Sequence, residues 1–209
     1  MSFLKPRSTE TTRDRLMSVA EIAILEKGFA ATSIEEIIAE VGITKGGFFY
    51  HFPDKSALVK AILERHVHVE EGWFEALFDR ARALNDDPLQ EFLEFLRILR
   101  QEMENLPDVH PGCLIAACCF QERLFERDIH DLAAENLLRW RARFHERFRL
   151  IAEQYPPKID VNLEALADML TALTDGAIIL SKTVRQKEAL PRQIDLYRQY
   201  VEAIFVGAR

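Results

Sequence analysis

The stretch Ser33 to Phe52, SIEEIIAEVGITKGGFFYHF, restricts this chain more than any other twenty residues, because its pattern fits two short helices joined by a tight turn. Ser33 is a good N-cap residue, and Glu36 three positions on completes the pattern of a capping box. Apolar Ile34, Ile37, Ile38 and Val41 then follow at helical spacing. Gly42 falls where the helix must stop and turn through a positive φ, which glycine adopts without steric cost. Ile43 is expected to drop between the two helices, and Thr44 to cap a second helix from Lys45 to His51. In that helix Phe48 and Phe52, four apart, can pack inward on Ile37, Ile38 and Val41. Lys45, Gly46, Gly47, Phe49, Tyr50 and His51 are left outside.

This is the layout of a DNA-reading helix-turn-helix, whose second helix enters the major groove. Two consecutive glycines in so short a helix cost about 1 kcal/mol each against alanine, so something must offset them. Close approach to another surface does so: without side chains, the first turn can lie against the edges or backbone of a groove. The neighbouring Lys45, Tyr50 and His51 can all donate to phosphate oxygens. A surface helix that merely tolerates glycine is the alternative.

On these residues, Thr12 to Leu63 resembles the N-terminal domain of the TetR/AcrR family of one-component transcriptional regulators. The match runs in order through a first helix, RDRLMSVAEIAILEKGF, ending at Gly28, and a Thr32-Ser33 start. The turn Val41-Gly42-Ile43-Thr44 follows, and then KGGFFYHFPDKSAL. Gly47 stands where many relatives carry a larger or polar side chain, and Phe49 where leucine or tyrosine is common, which bears on base preference. The resemblance implies a DNA-binding set of Thr32, Ser33, Thr44, Lys45, Gly46, Gly47, Phe49, Tyr50, His51 and Lys55. In that set Thr44 to Gly47 approach bases or flanking phosphates, and Tyr50, His51 and Lys55 clamp the backbone. Chemistry agrees: Asp54 can cap a fourth helix, and a helix N-terminus beside the Lys55 ammonium suits phosphate. Phe49 can meet a thymine methyl or pack against the first helix.

A formal net charge of −7 argues against nucleic acid until it is divided along the chain. Residues 1–65 hold nine Lys/Arg and nine Asp/Glu, so the whole deficit lies beyond them. Acids cluster between Glu21 and Glu40, while Lys5, Arg7, Arg13, Arg15, Lys45 and Lys55 lie toward segments that can face a duplex. A local basic surface is the expectation, since patches set phosphate affinity more than total charge does. Lys5 and Arg7 in the first ten residues can form a minor-groove arm or a plain terminus.

The start Met1-Ser2-Phe3-Leu4-Lys5 lacks the apolar core of a signal peptide, and no apolar run is long enough to span a bilayer. A soluble, cytoplasmic protein without membrane contact is expected. Three cysteines, Cys113, Cys118 and Cys119, do not form a disulfide framework, and no CxxC or HxxxH spacing exists, so no metal and no cofactor are expected. No nucleophile-base spacing, carboxylate pair or phosphate loop points to an enzyme.

Beyond Leu63 the pattern is helical throughout, so the fold class is all-α. A helix-turn-helix domain, residues 1–57, is followed by a larger helical effector-binding and dimerisation domain, 58–209, with breaks at Asn85 to Pro88, Asn105 to Gly112, Tyr155 to Pro157 and before Pro191. A fourth helix from Asp54 past His66 joins them. Apolar stripes through Leu166, Leu170, Leu173 and Ala177, and through Tyr197, Val201 and Ile204, suit either a core or a homodimer interface. Small Ala165, Ala172 and Gly176 keep the first of these helices thin, and the resemblance implies a four-helix dimer there. A dimer would read a palindromic operator in double-stranded DNA.

The resemblance also implies a pocket for an unknown small-molecule effector, apolar or aromatic. Candidate lining residues are Trp73, Phe74, Phe95, Cys113, Phe120, Trp140, Phe144 and Met169. Pro111-Gly112 should place Cys113 in the first turn of a helix, where unpaired N–H groups favour a reactive thiol. Some relatives carry cysteine in a similar Pro-Gly-Cys-Leu setting, so an electrophile- or redox-sensing repressor acting through Cys113 is the alternative. Cys118 and Cys119 are expected in the core.

Overall fold

The computed structural model describes residues 11–119, 125 and 127–207. Among them are nine helices and no strand: α1 (Thr12–Ala31), α2 (Ile34–Val41), α3 (Lys45–His51), α4 (Lys55–Arg82), α5 (Pro88–Glu104), α6 (Leu114–Cys119), α7 (Arg127–Gln154), α8 (Leu163–Val184) and α9 (Ala189–Val206). The all-α architecture follows from the helical spacing of apolar residues along the chain. No described helix is long and apolar enough to cross a membrane.

Two compact units form, and they divide the chain elsewhere than after residue 57. The first unit runs through Val69 and takes back Pro111–Glu135; the second comprises Glu70–His110 and the chain from Asn136. Leu58, Val59, Ile62 and Leu63 of α4 are buried in the first unit's core, so the start of α4 belongs there. The helix passes into the second unit without interruption.

In the first unit, Leu16, Met17, Ala20 and Ile24 of α1 meet Ile37, Val41, Phe48 and the α4 residues. Leu114, Ile115 and Cys118 of α6 join the same core. A complete capping box opens α1, with the Asp14 N–H donating to Thr11 Oγ1 at 3.2 Å and the Thr11 N–H to Asp14 Oδ2 at 3.3 Å. Regular helix geometry breaks at Gly28, whose φ of 84° and ψ of 162° kink α1 near its end, where the sequence places its stop.

In the second unit α9 packs against both α5 and α8. The buried Tyr197 hydroxyl donates to the Leu166 carbonyl at 2.6 Å, fixing α9 on α8. Phe78 and Phe95 stack with centroids 4.0 Å apart, and Phe74, Phe92, Phe144 and Phe148 gather around them. Rings brought together in this way supply large buried areas at helix crossings. Arg139 to Glu71 at 3.3 Å and Arg143 to Glu75 at 2.9 Å tie α7 to α4 one helical turn apart.

Candidate DNA-binding surface

Each backbone device read from Ser33 to Phe52 has its structural counterpart, with one difference. Ser33 Oγ accepts the Glu36 N–H at 3.2 Å and starts α2. Glu36 does not complete the capping box: its carboxylate is taken by Lys27 of α1, a full charge that outcompetes a single N–H. Gly42 is left-handed, with φ 76° and ψ 38°, and its N–H and that of Ile43 both reach the Ile38 carbonyl. Thr44 caps α3, its Oγ1 accepting the Gly47 N–H at 3.2 Å. Arg15 of α1 donates to the Val41 carbonyl at 2.7 Å and so satisfies an orphan acceptor at the end of α2.

Phe48 and Phe52 are buried, as their spacing predicts. Phe48 meets the ring of Phe49 edge-on at 5.4 Å, yet Phe49 keeps 46% of its surface exposed and stays available for an apolar contact. Tyr50 is 85% exposed with His51 packed edge-on beside it at 4.9 Å. Thr44, Lys45 and Gly46 are exposed as well, and Gly47 is half-buried. A Cβ added at Gly46 would meet nothing closer than Thr44 Oγ1 at 3.9 Å. At Gly47 it would meet Ile43 and Thr44 atoms at 3.6 Å, ordinary contact. The fold therefore does not demand glycine at either position, and the bare helix surface is turned outward.

Two residues of the expected DNA-binding set are engaged inside the unit. Thr32 is 1% exposed and its hydroxyl donates to the Gly28 carbonyl at 2.9 Å, which closes the kink of α1. Lys55 directs its ammonium to the Phe29 and Thr32 carbonyl oxygens, both at 2.7 Å, and over the Phe29 ring. Partial burial lowers its pKa from the ordinary lysine value. Asp54 caps α4 as expected, accepting the Ala57 N–H at 2.8 Å.

The expected basic surface is likewise redrawn. From residue 11 to 69 each lysine and arginine has an intramolecular partner. Arg13 lies over the Phe52 ring, Arg15 caps α2, Lys27 pairs with Glu36, Lys45 with Glu35, Lys60 with Asp128, and Arg65 with Glu21; Lys55 holds its carbonyls. Lys45 is the one on α3, and its Glu35 partner across the turn is a residue that pattern reading passed over. Contacts ten positions apart across a turn leave no periodic signal. Lys5 and Arg7 lie outside the described residues.

The effector candidates do not converge on one cavity. Phe74, Phe95 and Phe144 are core, Trp73 is buried against Phe74, and Trp140 packs edge-on to Phe74 at 4.6 Å. Met169 is exposed on α8, Cys113 belongs to the first unit, and Phe120 lies outside the described residues. A cleft of about 260 Å³ in the second unit is lined instead by Phe78, Pro88, Glu91, Phe92, Arg147 and Leu150, among others. The Arg147 guanidinium lies 4.9 Å over the Phe78 ring and 3.3 Å from buried Glu91.

Cys113 stands just before α6 rather than in its first turn, with the Ala116 N–H directed to its Sγ at 3.4 Å. Cys118 is buried, and desolvation pushes its thiol up to about 11. Cys119, expected in the core, is exposed, because it follows Cys118 by one position on a helix that buries one face. No cluster of metal-ligating groups occurs among the described residues.

The residues expected at a dimer interface lie mostly inside the protomer. Leu166, Leu170, Ala177, Tyr197, Val201 and Ile204 are buried within the protomer, and Leu173 is half-buried. They face the α5, α8 and α9 contacts of the chain's own core. The opposite surfaces expose a different set: Ala165, Met169, Ala172, Gly176, Ile179, Leu180 and Val184 on α8, and Leu196, Tyr200 and Val206 on α9.

Two stretches of the chain match known families. Residues 16–62 match the model of bacterial regulatory proteins of the tetR family, and residues 88–195 that of the C-terminal domain of LmrA/YxaF-like transcriptional regulators. An uncharacterised HTH-type transcriptional regulator of Lactococcus lactis is 22% identical over 92% of this chain and 94% of its own. Among solved structures, the regulatory protein TetR of Rhodobacter sphaeroides superposes with a TM-score of 0.73 at 21% identity, covering 91% of this chain and 99% of its own. The reduced form of Escherichia coli NemR does so with 0.70 at 21%, covering 90% and 96%. With a helix-turn-helix at its head and a family-specific helical domain over more than half its length, this chain belongs to the TetR family of transcriptional regulators.

Proposed function

We propose that the chain acts as a homodimeric repressor that leaves a palindromic operator when a small effector binds its helical domain. The bare outward surface of α3 carries this reading: Gly46 and Gly47 cost helix stability, the fold has room for a side chain at both, and Thr44, Lys45, Phe49 and Tyr50 surround them in the open. Thr44 and Lys45 would meet base edges or adjacent phosphates, and Ser33, Tyr50 and His51 would donate to the backbone. Lys55 and Thr32 support the surface from within by holding the junction of α1 and α2.

One such helix makes few contacts, so two copies must act together. The exposed stripes of α8 and α9 support the pairing, and small Ala165, Ala172 and Gly176 would let helices approach closely. The cleft floored by Phe78, Phe92 and Leu150 supports a small apolar or aromatic effector. Continuous α4 links the two units along the chain, and an effector that favours a splayed dimer by a few kcal/mol would release DNA. The test is selection of bound duplexes from a random pool, followed by footprinting. A two-fold symmetric site protected by a dimer is expected, and absence of any enriched symmetric sequence would overturn the reading.

A second reading, sensing of an electrophile by Cys113, is favoured by one observation. Its sulfur is partly accessible, receives an N–H at the start of α6, and lies against the same core as the DNA-binding helices. Alkylation there would unseat α6 from α1. Cys113→Ser should then abolish derepression by an alkylating electrophile in a reporter strain, and unchanged derepression excludes it.

A further inference from the structure

The two acids that open α2 divide between neighbouring elements. Glu36 turns back to Lys27 of α1, and Glu35 reaches across the turn to Lys45, with Nζ to Oε1 at 2.9 Å. Glu35 and Lys45 are the second residue of α2 and the first of α3, so the pair bridges the opening turns of both helices of the helix-turn-helix. It is exposed, with 61% of the lysine and 66% of the glutamate side chain accessible. The hydrogen bond from Lys45 holds the Glu35 carboxyl below its ordinary range. The other described cations of residues 11–69 are engaged elsewhere, so Lys45 is the ammonium that α3 itself presents.

We propose that Glu35 is a determinant of DNA affinity, acting as an intramolecular competitor of phosphate for Lys45. A carboxylate and a phosphate offer the same anionic oxygen acceptors, and the ammonium cannot pair closely with both. Binding must therefore open the Glu35–Lys45 pair at each head. The freed carboxylate then takes up a cation, which subtracts from the counterions released by the duplex. An exposed pair weighs about 1.4- to 5-fold in an equilibrium, and two heads multiply this to roughly 2- to 25-fold. The inference rests on the DNA-binding reading above.

The experiment compares wild type, Glu35→Gln, Lys45→Met and the double variant by fluorescence anisotropy on a random-sequence duplex, over a range of salt. Glu35→Gln is expected to bind roughly 2- to 25-fold more tightly at fixed salt. Its plot of log affinity against log salt should steepen by up to about two for a dimer, one per head. In the Lys45→Met background the same change should alter affinity by less than about two-fold, since the competitor then has nothing to hold. Glu35→Ala, which keeps helix propensity, should reproduce the gain, and thermal melts verify that each variant folds. Equal affinity of wild type and Glu35→Gln, or an equal gain with and without Lys45, overturns the competitor role while leaving the DNA-binding reading intact. Failure of the wild type to bind duplex even at low salt overturns both.

Discussion

The Lys55 ammonium lies 3.9 Å from the centroid of the Phe29 ring, 26 positions away in sequence. With the Phe29 and Thr32 carbonyls also at 2.7 Å, a residue expected to grip phosphate is a pin that closes the junction of α1 and α2. Hydrogen bonds from a charged donor are the stronger kind, and their loss leaves two carbonyls poorly satisfied.

Lys55→Met is therefore expected to lower unfolding free energy by about 1–3 kcal/mol, read from urea titration. The slope of DNA affinity against salt should stay unchanged at temperatures where the variant is folded, whereas Lys45→Met made in the Glu35→Gln background should flatten it by about one per head. A flattened slope for Lys55→Met would restore the phosphate-clamp role.

Gly46 and Gly47 offer a case in which stability and function move oppositely. Each sits in a helix with space for a Cβ, so alanine should raise stability by about 0.5–1 kcal/mol per site, measured by thermal or denaturant unfolding. Operator affinity should fall at least tenfold, since a methyl group would stand between α3 and the groove. A more stable variant with unchanged affinity would show that the glycines do not face DNA.

The backbone of the helix-turn-helix was legible because its devices are local. Ser33, Gly42, Thr44 and Asp54 act on groups within four residues, which a linear pattern displays. Long-range side-chain pairing was not legible. Nothing in the spacing shows that Glu36 serves Lys27 instead of its own helix, or that Lys55 turns inward to carbonyls more than twenty positions away. The same limit explains α8 and α9. Helical periodicity located apolar stripes but could not distinguish the face that Tyr197 and Leu166 bury from the face that Met169, Ile179 and Leu196 leave open. A cavity is further removed from pattern, because it is what packing leaves unfilled; Phe74, Phe95 and Phe144 fill space that their number alone suggested was empty.

Acid should loosen α1 from its start. The hydrogen bond from Thr11 holds the Asp14 carboxyl below the ordinary aspartate range, so the folded state binds that proton less readily than the unfolded chain. The stabilisation is complete above the ordinary carboxylate range and is lost as pH falls through the lowered folded value. Urea midpoints should drop as pH falls below about 4. Asp14→Asn should lower the midpoint at neutral pH and drop less steeply in acid, and an identical acid profile would remove Asp14 from the account.

Under the proposed pairing, the two faces of α8 and α9 should respond to substitution in opposite ways. Ile204, 1% exposed, is core, so Ile204→Ala should cost about 2–5 kcal/mol of protomer stability. Ile179, 54% exposed, lies on the open stripe with Gly176 and Leu180, so Ile179→Asp should leave the protomer's helicity and core intact. Sedimentation should then show monomers at concentrations where the proposed wild-type dimer forms, because a carboxylate buried at a two-fold interface would meet its own copy without a counter-charge. Operator affinity should fall by about two orders of magnitude or more, since each head would bind alone and the second contact would lose its high effective concentration. A folded Ile179→Asp protein that still sediments as a dimer would move the interface away from this stripe.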